Sequence, residues 1–537
     1  MKRKSLTAFL LIAMLALAVL SGCTPAKEAV PQAATEAVTA AETASAEAAI
    51  TEAAPAAEEE AAATESTVTE AAPAEATSTE TPATEKAATE AASAEPAATE
   101  AAASEATAAE AAAAEATPAE TAATKEAADL SRKYTLEQVV ILSRHNIRAP
   151  LSSNGSVPND LTPHSWIEWS AGSSELTLLG GVEETSMGQY FRKWLDQEGL
   201  IPENSIPEEG EVRFNARDKQ RCRATARYFA SGLLPLADIE VEHPGDAKGT
   251  KDFMNPILHF YTDAYAADAL AQVEAMGGEA GFDGIAEQNR EAIRLIMDTV
   301  DMKDSEIYQS GKYGDLLTDG FGYTLAPETE PAISGAMKPA LQVGDALLLQ
   351  YYEEPDEVRA AFGHKLTKED WALVGEFMSN CLKVRYTAPL VAGNMANPLL
   401  QELKGELVNE KRKFSFFCAH DCTVVSTLAA LGVEDYALPE SIETRAPIGV
   451  KVVIERRRDA EGKAWYRVSM IYRSTEQIRS GEMLTMSNPP LRYDLRFTGV
   501  ETNEDGLISE EDLLNLFDRS IGVLDELETA YALDIAA

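Results

Sequence analysis

The sequence predicts an α/β protein whose core is interrupted by a large, mostly helical insertion. Three observations point to that class. Gln138-Val139-Val140-Ile141-Leu142 is a short, β-branched apolar run that reads as a buried strand, and Lys413 to Cys418 is a second strand-like run far along the chain. Between about residues 246 and 400 helical spacing dominates, first in Ile285, Ile293, Ile296 and Val300, then in Leu347 to Tyr352 and Trp371 to Val384. Around these, Leu176-Thr177-Leu178-Leu179-Gly180-Gly181 leads into a helical pattern through Met187, Tyr190, Phe191 and Trp194, and Arg221 to Leu234 is also helical in character. Gly449 to Arg456 and Trp465 to Tyr472 read as a hairpin closed around Asp459 to Gly462. In such a fold a site is expected at the carboxyl ends of the strands.

Composition divides the 537 residues before any fold is considered. Met1-Lys2-Arg3-Lys4 is a basic start, and Leu6 to Leu20 is an apolar run too short for a secure spanning helix. Leu20-Ser21-Gly22-Cys23 then resembles a bacterial lipobox, which makes Cys23 the expected lipidation site and residues 1–23 an export signal. Residues 24–128 hold 46 Ala, 21 Glu, three Lys and no aromatic residue. Such a segment cannot bury enough apolar surface to offset chain entropy, so it is expected to be a low-complexity stalk. The expected arrangement is a core over 129–245 and 400–537 with a helical insertion over 246–399. Beyond residue 128 there are 67 acidic and 40 basic residues. That balance argues against nucleic-acid binding, which needs a basic face, and leaves the lipid as the expected membrane contact. An anionic substrate must be drawn by a locally basic pocket.

Such a pocket is legible where the first strand ends. Arg144-His145-Asn146-Ile147-Arg148-Ala149-Pro150 follows Val139–Leu142 directly. Each guanidinium is permanently charged and can grip two oxygens of a phosphate. A histidine between them is poised to attack the phosphorus, and the nearby cations keep it neutral at acid pH. Phe414-Ser415-Phe416-Phe417-Cys418-Ala419-His420-Asp421 runs from the later strand into a helix expected to start near Thr423. There His420 can donate to a phosphoryl oxygen, and Asp421 can protonate a leaving oxygen.

The first stretch resembles the RHGxRxP signature of the histidine acid phosphatases, the branch with a large helical insertion. Asn146 stands where most members have Gly, as in the glucose-1-phosphatase-like subgroup. The likeness continues through Asn154-Gly155-Ser156, Gly180-Gly181, Gln350-Tyr351-Tyr352-Glu353, Arg445-Ala446-Pro447-Ile448-Gly449 and Ser474 to Arg479, so it spans about residues 134–520. It implies a central mixed β-sheet flanked by helices with a helical cap. It implies that His145 becomes phosphohistidine, that Asp421 is the proton donor, and that Arg144, Arg148, Arg221 and His420 clamp the phosphoryl group. Arg221 is carried over from Arg221-Cys222-Arg223-Ala224-Thr225-Ala226, with Arg223 as a rival whose simpler reading is a solvated helix face. No cofactor and no metal is expected. Glu501 to Asp512 faintly echoes a calcium loop, but its end positions have the wrong ligand length, so a turn and a capped final helix are expected.

The family spans phytases, glucose-1-phosphatases and general acid phosphatases. Asn146 is expected to add bulk and an amide beside the nucleophile and to contact substrate there, and Ser152 replaces a lysine that many phytases carry. Glu330 resembles an acidic substrate-contact position of the glucose-1-phosphatases; a solvated loop charge is the bland alternative. The expected partner is therefore a small-molecule phosphate ester, with glucose-1-phosphate first and an inositol phosphate second. A lipoprotein that binds phosphorylated solutes without turnover is the competing class, and phosphoryl transfer between substrate positions is disfavoured by the insertion. Cys222, Cys381, Cys418 and Cys422 do not sit at the family's expected pairs, and His164, His243, His259 and His364 lack a supporting constellation.

Overall fold

Every residue of β1 (Thr135–Arg144) beyond Gln138 is buried, because apolar side chains leave it on both faces. Val139 and Ile141 point to one face, Val140 and Leu142 to the other. The computed structural model describes residues 130–151, 157–311 and 320–532, which belong to one compact unit. The export signal with Cys23, the whole of the expected stalk, and Ser152 to Ser156 lie outside the described residues.

The further strands are β2 (Val212–Ala216), β3 (Val241–Glu242), β4 (Phe321–Thr324), β5 (Ala332–Gly335), β6 (Phe414–Ala419), β7 (Lys451–Arg458), β8 (Ala464–Tyr472), β9 (Leu491–Asp494) and β10 (Ile508–Ser509). The helices used below are α1 (Leu178–Gln197), α2 (Gln220–Leu233), α3 (Asp263–Glu274), α4 (Phe282–Thr299), α5 (Met337–Glu353), α6 (Lys368–Tyr386), α7 (Pro389–Leu407), α8 (Asp421–Ala430), α9 (Thr475–Ser480) and α10 (Glu510–Tyr531).

The main sheet runs β10-β8-β7-β1-β6-β2-β3, with β9 also paired to β8. β1, β6, β2 and β3 are parallel neighbours, whereas β7 is antiparallel to both β1 and β8, so the sheet is mixed. β7 and β8 form the expected hairpin, in which Asp459 accepts from the Lys463 amide. β4 and β5 pair separately within the insertion.

One face of the sheet carries α1 and α2. There Phe229 stacks on Phe416 with ring centroids 4.5 Å apart, and Phe191 and Trp194 close the cluster. On the other face, α3 to α8 and α10 share one continuous core with Val140, Leu142, Val452 and Ile454. The insertion therefore completes the hydrophobic layer of the sheet. α7 runs unbroken across the expected boundary at 399/400.

Candidate active site

Parallel pairing of β1 with β6 places Arg144 opposite Ala419, so the two motifs leave the sheet side by side. The His145 amide donates to Ala419 O at 3.0 Å, and the His145 and His420 rings meet edge to face with centroids 5.3 Å apart. β2 ends on the other side of β6, where the Arg217 amide donates to Cys418 O. α2 begins three residues later and carries Arg221 in its first turn, while α8 begins at Asp421 with His420 as its N-cap. Two helix N-termini thus add their positive ends to this corner of the sheet.

His145 is buried, and its Nδ1 lies 2.8 Å from the Asn146 carbonyl. A carbonyl oxygen only accepts, so Nδ1 carries the proton and Nε2 keeps the lone pair. Burial, then Arg221, His420, Arg148 and Arg144, hold the imidazole well below the usual histidine range. His145 is therefore a neutral imidazole among cations, with the Nε2 lone pair unused among the described residues.

Those cations are held in different ways. Arg144 gives Nη1 to Glu443 Oε1 and to the Ala446 carbonyl, both at 2.6 Å, and its Nη2 lies 3.1 Å from Asp421 Oδ2. Arg148 is bidentate to Asp345 of α5 at 3.1 and 2.9 Å. Arg221 has no ion pair among the described residues and donates weakly to Ser174 O at 3.4 Å. Burial, and then repulsion from Arg148, lower its pKa. Burial opposes ionisation of Asp421, but Arg144, His420 and Arg148 outweigh it and keep its carboxyl below the ordinary range. All six residues expected from the two motifs and α2 are thus brought together.

The other expected residues fall differently. Asn146, expected to contact substrate, has a buried side chain that donates to Glu184 Oε2 at 2.8 Å and accepts from the Ile147 amide at 2.8 Å. The room for it exists because Gly449 sits at φ 67 without a Cβ, which would lie 2.8 Å from Asn146 Nδ2. Glu330 sits at the edge of the insertion, where it accepts from Tyr386 at 3.2 Å and lies 3.9 Å from Arg385. Its charge acts on Cys422, the residue after Asp421. Arg223 turns away to Asp218 at 3.3 Å. The four cysteines of the described region are free and buried. Ser509 caps α10, as expected for that segment, and Asn503 accepts two amides of the preceding turn.

Sequence reasoning missed the groups that hold these residues. Glu443 also accepts from Tyr352 at 2.9 Å and the Ile448 amide at 3.1 Å, which gives two of the quoted motifs a shared purpose. Gly180 lets α1 press on the motif loop, since a Cβ there would lie 2.4 Å from Ile147 O. Arg217 lies beside Arg221 but is occupied by Asp252 at 3.3 Å and Asn255 at 2.7 Å. His164 and His364, which lacked partners in the sequence, share Asp301 at 2.7 and 3.2 Å. No group of three or more His, Cys, Asp or Glu among the described residues is placed to hold a metal ion.

Residues 135–303 and 337–473 match the model of the histidine phosphatase superfamily, branch 2. The chain belongs to that family. It is an enzyme of the histidine acid phosphatase class. Glucose-1-phosphatase of Salmonella typhimurium is 32% identical over 378 residues, which cover 70% of this chain and 89% of that protein. Phytase AppA of Escherichia coli is 27% identical over 394 residues, covering 70% and 89%. The fold is shared with the apo form of Hafnia alvei phytase, at TM-score 0.65 and 24% identity over 72% of this chain and 97% of that one. It is shared equally with Citrobacter braakii phytase, at TM-score 0.64 and 22% identity.

In this phosphatase the buried acid Glu183, adjacent to Glu184, sets a pH dependence. Glu183 is buried and neither carboxyl oxygen has a hydrogen-bond partner among the described residues. Burial first, then Glu184 and Glu353, push its pKa from 4.5 to about 8, against the pull of Arg473. Between those values the folded chain holds a proton that the unfolded chain has lost, so stability falls as pH rises. The fall for this group is at most about 1.4 kcal/mol per pH unit. Glu183→Gln is expected to remove it, so that the variant gains on wild type between pH 5 and 8 in urea unfolding. An unchanged difference between the two across that range would contradict the assignment.

Proposed function

We propose that this chain hydrolyses sugar phosphate monoesters, glucose-1-phosphate or close kin, through a phosphohistidine on His145. The observation that carries the reading is the neutral Nε2 of His145 set among Arg144, Arg148, Arg221 and His420, with Asp421 against Arg144. The cations bind the phosphoryl oxygens and match the charge that spreads over them during transfer. His145 Nε2 bonds to phosphorus as the ester P–O bond breaks, and Asp421 gives its proton to the departing alkoxide. Water then attacks phosphorus, Asp421 takes its proton, the P–N bond breaks, and phosphate leaves neutral His145 behind.

The lowered pKa of Asp421 means that the proton arrives with the substrate. Either a phosphate monoanion brings it, or a bound dianion neutralises Arg144 and lets Asp421 take one. Both routes need the same proton, so kcat/KM falls above the second ionisation of a phosphate ester, about pH 6. Cations at the border of the site are already balanced, Arg217 by Asp252 and Arg385 by Glu330. That balance suits a substrate with one phosphate and a hydroxylated ring, whose hydroxyls Glu330 can accept. The glucose-1-phosphatase of Salmonella typhimurium supports the same choice over a phytase. Binding without turnover would require neither His145 nor Asp421.

Phosphate release from glucose-1-phosphate and phytate, measured in parallel, tests this reading. Strong release from the sugar phosphate and weak release from phytate are expected. Asp421→Asn is expected to lower kcat on the sugar phosphate by about 10²–10⁴-fold, with a much smaller loss on p-nitrophenyl phosphate, whose leaving group needs no proton. Extensive phytate breakdown moves the substrate to inositol phosphates, and equal losses on both esters remove Asp421 as the donor.

We further propose that the enzyme works outside the cytoplasm, tethered by lipid on Cys23 through the Ala/Glu/Thr stalk. The support is the sequence of residues 1–128; among the described residues no helix is long and apolar enough to cross a membrane. Cys23→Ser is expected to move the phosphatase from the membrane fraction to the soluble fraction; retention in the membrane refutes the tether.

A further inference from the structure

We propose that Asn146, braced by the buried Glu184–Lys451 ion pair, is a positioning residue that fixes the tautomer and direction of the His145 imidazole from behind. The inference rests on His145 being the nucleophile.

The carbonyl that receives His145 Nδ1 and the amide of Ile147 belong to the same planar peptide group. Asn146 Oδ1 accepts that Ile147 amide at 2.8 Å, so the side chain clamps the plane that orients the nucleophile. The preceding plane is fixed as well, because the Asn146 amide donates to Thr225 Oγ1 at 3.1 Å. The free end of the clamp, Nδ2, donates to Glu184 Oε2 at 2.8 Å.

Glu184 is in turn immobilised. Lys451 Nζ lies 2.8 and 3.1 Å from its two oxygens, and both side chains are wholly buried. Lys451 also donates to the Gly449 carbonyl at 2.7 Å and sits 5.7 Å and 5.8 Å from the Phe229 and Phe416 ring centroids. The Gly449 amide donates to His145 O at 3.1 Å, which closes the circuit on the nucleophile's own residue. A buried ion pair yields little net stability, because desolvation offsets the attraction. What it does supply is a rigid charged acceptor, and a hydrogen bond to a charged group is about twice as strong as a neutral one. A glycine at 146, as the family signature has it, offers no side chain to make this clamp.

The test is Asn146→Gly and Asn146→Asp in the full-length enzyme, with turnover normalised to active sites by the burst of phosphoenzyme. For Asn146→Gly, kcat is expected to fall about tenfold, the cost of losing a hydrogen bond to a charged group. KM is expected to stay within about twofold, since the amide does not face substrate. Asn146→Asp, which sets a second carboxylate against Glu184, is expected to fall further. The second readout is ¹⁵N NMR of the free enzyme labelled at histidine, with His145 assigned by His145→Gln. Wild type should show a single neutral Nδ1–H form, and Asn146→Gly a mixture. Because Glu184→Gln alone leaves Lys451 unpaired, Glu184→Gln with Lys451→Met serves as the brace variant. It keeps a neutral acceptor and should lose less than Asn146→Gly. An unchanged kcat and tautomer in Asn146→Gly overturns the proposal, and so does a raised KM at constant kcat, which would make Asn146 a substrate contact. A wild type without phosphoenzyme refutes the nucleophile assignment instead, and the NMR readout, which needs no turnover, separates the two failures.

Discussion

Three guanidinium groups crowd a histidine that must remain uncharged, and most of the surrounding structure answers to that arrangement. Arg144 is nearly inaccessible, and a buried guanidinium is sustained only by acids and carbonyls within reach. Glu443, Asp421 and the Ala446 carbonyl supply them. Glu443 needs its own donors, which come from Tyr352 in the insertion and from the Ile448 amide before β7. One buried cation thus draws together the end of β1, the start of α8, the end of α5 and the segment entering β7. The same logic binds Arg148 to Asp345, also on α5. The insertion is for this reason part of the candidate site as well as part of the core.

Each acid partner also bears on catalysis. Asp345 and Asp421 hold their arginines in place, and under the proposed mechanism an incoming phosphate shares those guanidinium donors with them. Arg221 has no ion pair among the described residues, and Arg148 repels it. In the proposed mechanism, binding phosphate relieves cation repulsion while releasing Asp421 to be protonated, which couples substrate entry to readiness of the acid.

How much of this was readable depended on whether neighbours in sequence were neighbours in space. β1 and β6 were plain because both are continuous apolar runs, and the two catalytic motifs sit at their ends. β2 was missed: it is short, and Arg213 and Asn215 interrupt its apolar pattern to pair with Glu242 across the neighbouring strand. α7 hid the expected domain boundary because its polar Asn394 and Asn397 face inward, where they bond Phe260 O and Ile521 O. The direction of Asn146 was illegible, since it is decided by Glu184, 38 residues away, and by the missing Cβ of Gly449. The shared Asp301 of His164 and His364 spans 137 and 63 residues and carries no local signal. Residues named by a strand end were found; residues named by what holds them required the fold.

The central claim is that His145 attacks through Nε2 because Nδ1 is tied to the Asn146 carbonyl. The most direct measurement traps the phosphoenzyme during turnover in alkaline quench, maps the modified residue by mass spectrometry and assigns the phosphohistidine isomer by ³¹P–¹⁵N coupling. The account predicts phosphate on Nε2 of His145. Phosphate on Nδ1, or on His420, would contradict it.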